Sequence, residues 1–289
     1  MIRRGFIVGG VAFAAMPAIS FAKDPGLKAR ALIIANGYQT SRPEIALSNT
    51  LSDGRLIEGR LRELKFTSVE RLEDAGEPAL RQRLSTFKSS LGRKDIGLIY
   101  IAGHGIQIDD ENFLLLGDGQ TYMSLISIIR NVRVATDNLI VMLDACRTRP
   151  YTKLPEGMRL ARAVGKATRS AEVAVELAIP SSDASISAVK PFQITGSGVK
   201  IVFATDPQNV AYDAADDRQK NSPFAIAMAA RLAERRSLDD VIAMVTGDVI
   251  DATEGDQSPW SQGSIVEPIF LAGPPLEKNP AKPPFQVPG

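Results

Sequence analysis

The chain has one cysteine and one histidine in 289 residues. A single cysteine excludes an internal disulfide. One His and one Cys cannot assemble the usual nitrogen and sulfur ligand set, so a metal enzyme of that kind is not expected. The charge excess is equally small. With 34 basic and 33 acidic residues the net charge is +1, and nothing in that balance argues for nucleic acid or a membrane surface as a partner. Beyond residue 22 no segment is long and apolar enough to span a bilayer.

Against that scarcity, the places where the two reactive side chains stand carry information. Residues 139–143 form a short apolar run that reads as a fully buried strand. It leads directly into Asp144, Cys146 and Arg147. Residues 96–102 have the same design and lead into Gly103-His104-Gly105. Both the thiol and the imidazole are thus expected where a core strand gives out into a loop. In open α/β sheets, sites form at the carboxyl ends of the strands. A Cys and a His brought together there are a thiol nucleophile and its base. A lone Cys is usually a small core hydrophobe, and a lone His is often structural. Glycines on both sides of His104 and charges beside Cys146 favour the functional reading of the pair.

Taken in order, the chain opens with Arg3-Arg4 and an apolar run over 6–19, closed by Ser20-Phe21-Ala22, which fits a signal peptide over 1–22. Arg3-Arg4-Gly5-Phe6-Ile7 resembles a twin-arginine signal without its usual preceding polar residue, so the export route stays open. An uncleaved anchor is the alternative; Gly9, Gly10 and Pro17 interrupt the run and favour cleavage. The expected location is therefore outside the cytoplasm, periplasmic or secreted. Strands are expected over 29–36, 67–72, 96–104, 139–146, 200–205 and 268–271. Helices are expected after Ser52 or Asp53, from Glu77-Pro78, over 122–130, after Asn221-Ser222-Pro223 to about Arg235, and after Ser237. A short hairpin is expected over 106–116, turning at Asp109-Asp110-Glu111. Alternating strands and helices argue for an α/β domain over 27–272, with a mostly parallel sheet of about six strands and helices on both faces. Residues 148–198 show no sustained strand signal and read as a linker, with Arg159, Arg162, Lys166 and Arg169 in a helical-looking part. Residues 273–289 are Pro-rich and read as a disordered tail without a core.

The two motif stretches resemble those of the caspase/metacaspase clan of cysteine peptidases, in particular its bacterial members. The clan pattern is an apolar strand ending in His-Gly and, about 50 residues on, another ending in Ala-Cys-Arg or a close variant. Asn112-Phe-Leu-Leu-Leu-Gly-Asp118, Phe203-Ala-Thr205, Asn221-Ser-Pro-Phe224 and Gln257-Ser-Pro-Trp260 resemble further landmarks of the family in the right order. The resemblance covers roughly 29–271 and implies the caspase-like three-layer sandwich. It implies Cys146 as nucleophile and His104 as base and acid, with the backbone N–H groups of Gly105 and Cys146 as the oxyanion hole. No third catalytic member is implied.

The resemblance also bears on specificity. Caspases cut after Asp with an Arg upstream of the first helix and a Gln two positions before the Cys. Here Asp144 stands two before Cys146, residues 47–51 hold no Arg, and Arg42 is the nearest. Asp53 instead matches the acidic residue that, with the Asp before the Cys, lines the basic-residue pocket of metacaspases. Two carboxylates attract Arg or Lys and repel Asp. The expected activity is endopeptidase cleavage after Arg, less well after Lys. For Asp53 a helix N-cap is an equal alternative. Basic residues of 148–169 are candidate self-cleavage sites, a solvated helix face being the alternative. No cofactor is required; calcium is a candidate activator through Asp109, Asp110 and Glu111, or Asp213, Asp216 and Asp217. The expected partner is a peptide or protein substrate. The competing functions are a catalytically silent caspase-like domain acting as a binding module, and a thiol-dependent hydrolase or transferase on a similar core.

Overall fold

The computed structural model of the chain describes residues 28–108, 111–148, 159–161, 197–206, 211–213 and 220–276, with the backbone alone at 107–108, 146–148 and 159–161. The predicted leader at 1–22, most of the linker and all but the first residues of the tail lie outside the described residues.

The core is built from apolar runs that are buried on both faces. β1 (Ala29–Ala35) lies between β2 (Ser68–Glu73) and β3 (Ile96–Ile108), parallel to both. On its other edge β3 pairs in parallel with β6 (Asn138–Thr148), which pairs in parallel with β8 (Val199–Phe203). β9 (Trp260–Ser264) closes that edge antiparallel to β8. The main sheet is therefore β2-β1-β3-β6-β8-β9, six strands with one antiparallel, as expected for an α/β sandwich. Side chains alternate across it. Ala31, Ile33, Tyr100 and Met142 join one core with α1 (Thr50–Glu63), α4 (Pro223–Arg231) and α5 (Leu238–Ala252). Leu32, Ile34, Ile101 and Val141 join the other with α2 (Glu77–Ser90) and α3 (Leu125–Arg133). These two cores on opposite faces make the three layers.

A smaller flap grows from the sheet. β1 stops opposite Ala102, but β3 continues for six residues. The edge it leaves open is taken by β4 (Glu111–Leu115), antiparallel from Gly105↔Leu114 to Ile108↔Glu111. β5 (Thr121–Ser124) pairs antiparallel with β4, and β7 (Arg159–Ala161) in parallel with β5. The antiparallel pair is as expected, with Glu111 in β4 rather than in the turn, and residues 109–110 lie outside the described residues.

Several boundaries differ from expectation. Neither β3 nor β6 gives out at the reactive residues: both run on, to Ile108 and Thr148, because each supplies a neighbour for the other beyond the end of β1. Residues 121–124 are strand, not helix; their pairing with β4 delays α3 until Ser124, whose Oγ accepts from the Ser127 N–H at 3.2 Å. α4 is correctly capped by Ser222 but ends at Arg231. Arg159 lies in a strand rather than on a helix. Residues 268–271 form no ladder. Ile269 is buried there and its carbonyl accepts from the Leu238 N–H, so the apolar signal reports core contact alone. Among the described residues no helix is long and apolar enough to cross a membrane.

Leu84 of α2 is fully buried, whereas Ile226 of α4 is 43% exposed. Leu84→Ala is expected to cost about 2–5 kcal/mol in urea unfolding, and Ile226→Ala to change stability by no more than about 0.5 kcal/mol. Equal losses would contradict the assignment of faces.

Candidate active site

The β3–β6 ladder sets His104 and Cys146 opposite each other as register partners. Neighbouring strands lie about 4.8 Å apart, so the chain's one imidazole and one thiol are attached to adjacent backbone positions. The site sits where β1 ends, not where β3 or β6 ends. The chain leaving β1 crosses back over this point as the segment 36–49.

That segment holds the imidazole through two contacts and the His104 backbone through a third. The His104 Nε2–H donates to the carbonyl of Ile45 at 2.7 Å, in a single 3-10 turn over Pro43–Ile45. A carbonyl only accepts, so Nε2 carries a proton, and Nδ1 is the nitrogen that holds the lone pair whenever the ring is neutral. The ring stacks on Tyr38, centroids 5.1 Å apart and planes 22° apart. The Tyr38 hydroxyl accepts from the His104 backbone N–H at 3.0 Å and donates to the Leu115 carbonyl at 2.8 Å. Burial pushes the Tyr38 phenol well above its usual range, which keeps that donor proton in place. Tyr38 is itself pinned, because Asp74 Oδ1 accepts from the Gly37 and Tyr38 N–H groups at 2.6 and 3.0 Å. Gly103 is required here: its φ is +151°, and a Cβ would sit 2.8 Å from the Tyr38 hydroxyl.

Beside His104 lies a pocket of about 270 Å³ lined by Asp53, Asp144, Asp213, Leu47, Gly103 and Tyr212, among others. Asp144 is buried on β6, where its Oδ2 accepts from the Tyr100 hydroxyl at 2.7 Å and the Ser222 hydroxyl at 2.6 Å. Asp53 is buried on α1, where its Oδ1 accepts from Asn221 Nδ2 and the Ser222 N–H, both at 2.9 Å. Asp53 is not the helix cap. α1 begins at Thr50 behind Asn49, which puts Asp53 inside the first turn and leaves its carboxyl to the pocket. Asp213 accepts from the Ser48 N–H at 2.9 Å and from the Asn49 N–H, the open donors ahead of α1. Among the described residues no Lys or Arg forms an ion pair with any of the three. Burial, reinforced by the charge of Asp144, raises the pKa of Asp53; burial also raises those of Asp144 and Asp213. Three carboxyls thus line one pocket, with no Lys or Arg paired to them among the described residues, and each resists ionisation.

The structure thus brings His104, Gly105, Cys146, Asp53 and Asp144 to one end of the sheet. It excludes Arg42, whose guanidinium is committed to Glu44 and the Gly119 carbonyl. Tyr38, Ile45, Tyr100, Asp213 and Ser222 complete the site and were not predicted in these roles. Ser222 was recognisable as a helix cap, and Asp213 as part of an acidic cluster, but neither signal says that the side chain faces a pocket. Of the calcium candidates, Asp109, Asp110, Asp216 and Asp217 lie outside the described residues, and Glu111 accepts from the Ser124 hydroxyl. Among the described residues no group of three His, Cys, Asp or Glu side chains is placed to hold a metal ion.

A family profile described as the caspase domain of peptidase family C14 matches residues 28–270. Among solved structures, caspase-1 from Spodoptera frugiperda matches with a TM-score of 0.58 at 12% identity, covering 86% of this chain and 91% of that one. At that identity the likeness is one of fold. No curated protein matches the chain.

The folded chain binds a proton at Asp53 more tightly than the unfolded chain does. Stability is therefore expected to fall as pH rises from the ordinary carboxylate range through about 8, to which Asp53 is raised. Asp53→Asn keeps an acceptor for Ser222 and removes the charge. It is expected to flatten this slope, so that the variant outlasts the parent in urea at pH 8 relative to pH 5. A variant slope as steep as the parent's would contradict the crowding of carboxyls.

Proposed function

The chain belongs to the caspase-domain family of cysteine peptidases, and from that premise we propose that it is an endopeptidase with a His104–Cys146 dyad that cuts after Arg and less well after Lys. The observation that carries the dyad is the register pairing of the chain's only His with its only Cys. The pocket of Asp53, Asp144 and Asp213 beside them carries the specificity.

The choice of base nitrogen rests on the bond from His104 to Ile45, and the remaining steps on the chemistry of the family. A free thiol titrates near pH 8.5, so Cys146 needs a base. With Nε2–H held by Ile45, Nδ1 of His104 is the nitrogen available to take the thiol proton. The thiolate attacks the substrate carbonyl carbon and forms an S–C bond. The carbonyl oxygen becomes anionic and is received by the backbone N–H groups of Gly105 and Cys146. Collapse breaks the C–N bond, and the imidazolium delivers its proton to the leaving amine. Water, deprotonated by His104, then attacks the thioester. The acid departs and Cys146 recovers its proton. Every step uses protein groups and water.

The guanidinium of an Arg substrate supplies the counter-ion that the three carboxyls lack. Its binding favours their ionised forms, so KM for an Arg substrate falls as pH rises while the pocket carboxyls lose their protons. An acidic residue in the same place meets like charge.

Self-processing belongs to the same proposal, with one refinement. Arg159 is paired to Thr121 in the β7–β5 ladder and must detach before it can be cut. Arg149, Lys153, Arg162, Lys166 and Arg169 are the preferred candidates among the basic residues of the linker. Export of the chain, with cleavage after Ala22, completes the reading and rests on the Arg3-Arg4 start and the apolar run that follows.

The test is hydrolysis of peptides carrying Arg, Lys, Asp or Ala before the scissile bond. Arg peptides are expected to be cut, Cys146→Ala to abolish cutting, and Asp144→Asn to lower kcat/KM for Arg peptides by about 10²-fold, the cost of losing one buried charge partner. Cleavage after Asp would sink the pocket assignment. Activity retained by Cys146→Ala would sink the dyad.

A further inference from the structure

The segment 36–49 carries the Ile45 carbonyl that fixes the His104 ring. Packing does little to hold this strap. Residues 39–41, 43, 44, 46 and 48 are exposed, and Ile45 and Leu47 are only partly buried against the small core around Tyr38. Hydrogen bonds set its position, and its two ends are pinned in the same way. At the entrance, Asp74 accepts from two consecutive backbone amides, those of Gly37 and Tyr38. At the exit, Asp213 does the same for Ser48 and Asn49, its Oδ2 lying 2.9 and 3.2 Å from the two nitrogens. The contact is returned, because Asn49 Nδ2 donates to the Asp213 carbonyl at 2.8 Å. Between the pins, the Leu47 N–H closes onto the Gly37 carbonyl at 2.9 Å, and Arg42 reaches the Gly119 carbonyl.

Asp213 has a firm base. The Tyr212 N–H donates to Gln257 Oε1 at 3.1 Å, and Gln257 Nε2 donates to the Ala204 carbonyl, just past β8, at 2.8 Å. Gln257 is fully buried. A line of hydrogen bonds therefore runs from the end of β8 through Gln257, Tyr212 and Asp213 to Ser48, three residues beyond Ile45.

We propose that Asp213 is a positioning residue for His104. It acts through the strap: by holding Ser48 and Asn49 it keeps the Ile45 carbonyl on Nε2 and so reserves Nδ1 as the base. A carboxylate suits this task, since its bonds from backbone N–H groups are charge-assisted and stronger than neutral ones. Asp213 also lines the acidic pocket, so one side chain serves both strap and pocket. Substitution separates the two roles. Because Oδ2 alone reaches both amides, Asp213→Asn keeps an oxygen for them and loses only the charge. Asp213→Ala loses both. The effect on the imidazole stands by itself; its consequence for turnover rests on the peptidase reading.

The chain has one histidine, so a full chain labelled with ¹⁵N-histidine gives the ring nitrogens of His104 alone. The measurement is the one-bond N–H correlation of that ring in the neutral form, which needs no peptidase activity. The parent is expected to show a proton on Nε2, held long enough to be seen. The signal is expected to persist in Asp213→Asn and to be lost in Asp213→Ala. If the Ala chain does not fold, Asp213→Ser takes its place, with a hydroxyl too short to reach both amides. With Arg peptides, both Asn and Ala are expected to raise KM, and only Ala to lower kcat, by about 10- to 100-fold, the scale on which a misplaced catalytic group costs rate. A purely structural role would lower the urea midpoint and leave the ring signal of the folded chain intact. That result would overturn the proposal, as would equal loss of the signal in Asn and Ala, or a parent ring protonated on Nδ1 alone. Ring signals as expected in a chain that cuts no peptide would refute the peptidase reading alone.

Discussion

The parallel ladder between β3 and β6 is the constraint on which the rest depends. It runs unbroken from Ile96↔Asn138 to Ile106↔Thr148. Its first half is ordinary core, with apolar side chains on both faces and helices over each. Its second half has lost β1 as a neighbour and gained β4. That exchange of neighbours opens one face of the sheet above His104 and Cys146 while keeping their backbone in a ladder. Reactive residues on paired strands are held more rigidly than residues on a free loop. The loop that follows β1 then supplies the orienting contacts, through Tyr38 and the Ile45 carbonyl.

The acidic pocket shows the opposite physical character. Asp53 and Asp144 are buried, both bonded to Ser222, and neither forms an ion pair with a Lys or Arg among the described residues. Buried carboxyls so placed resist ionisation. The hydrogen bonds from Ser222, Tyr100 and Asn221 satisfy individual oxygens without neutralising charge. In the proposed reading a substrate guanidinium does both at once. Perturbed carboxyl pKa values gathered in one pocket are a mark of functional sites. Asp213 ties this pocket to the start of α1, and the same 45–49 segment reaches His104, so the binding pocket and the imidazole share one structural support.

Much of this was legible in the sequence, for identifiable reasons. Strands β1, β3, β6 and β8 are buried on both faces and read as continuous apolar runs. Ser222 and Ser237 announced α4 and α5 by local cap chemistry, and both side chains accept the expected N–H. β9 escaped because Trp260–Ser264 is a partly exposed edge with no alternation to detect. β7 escaped because its pairing to β5 is long-range and it is only three residues long. Gly103-His104-Gly105 suggested a loop; β3 instead continues through it, and Gly103 permits the close approach of Tyr38. Two carboxylates of the pocket, Asp53 and Asp144, could be named from the resemblance. Tyr38, Ile45 and Asp213 could not, since their roles exist only once the chain after β1 has folded back over the sheet.

The most direct test of the central claim is covalent trapping. A peptide chloromethyl ketone ending in Arg alkylates a reactive thiolate, with an S–C bond formed and chloride lost. Intact mass and peptide mapping of the full chain read both where the adduct forms and what directs it. The account predicts one adduct, on Cys146, formed by the Arg reagent and not by its Asp counterpart, and lost when Asp53 and Asp144 are both changed to Asn in a chain that remains folded. Equal labelling by the Arg and Asp reagents would contradict the acidic pocket, and a folded chain that takes up neither would contradict the dyad.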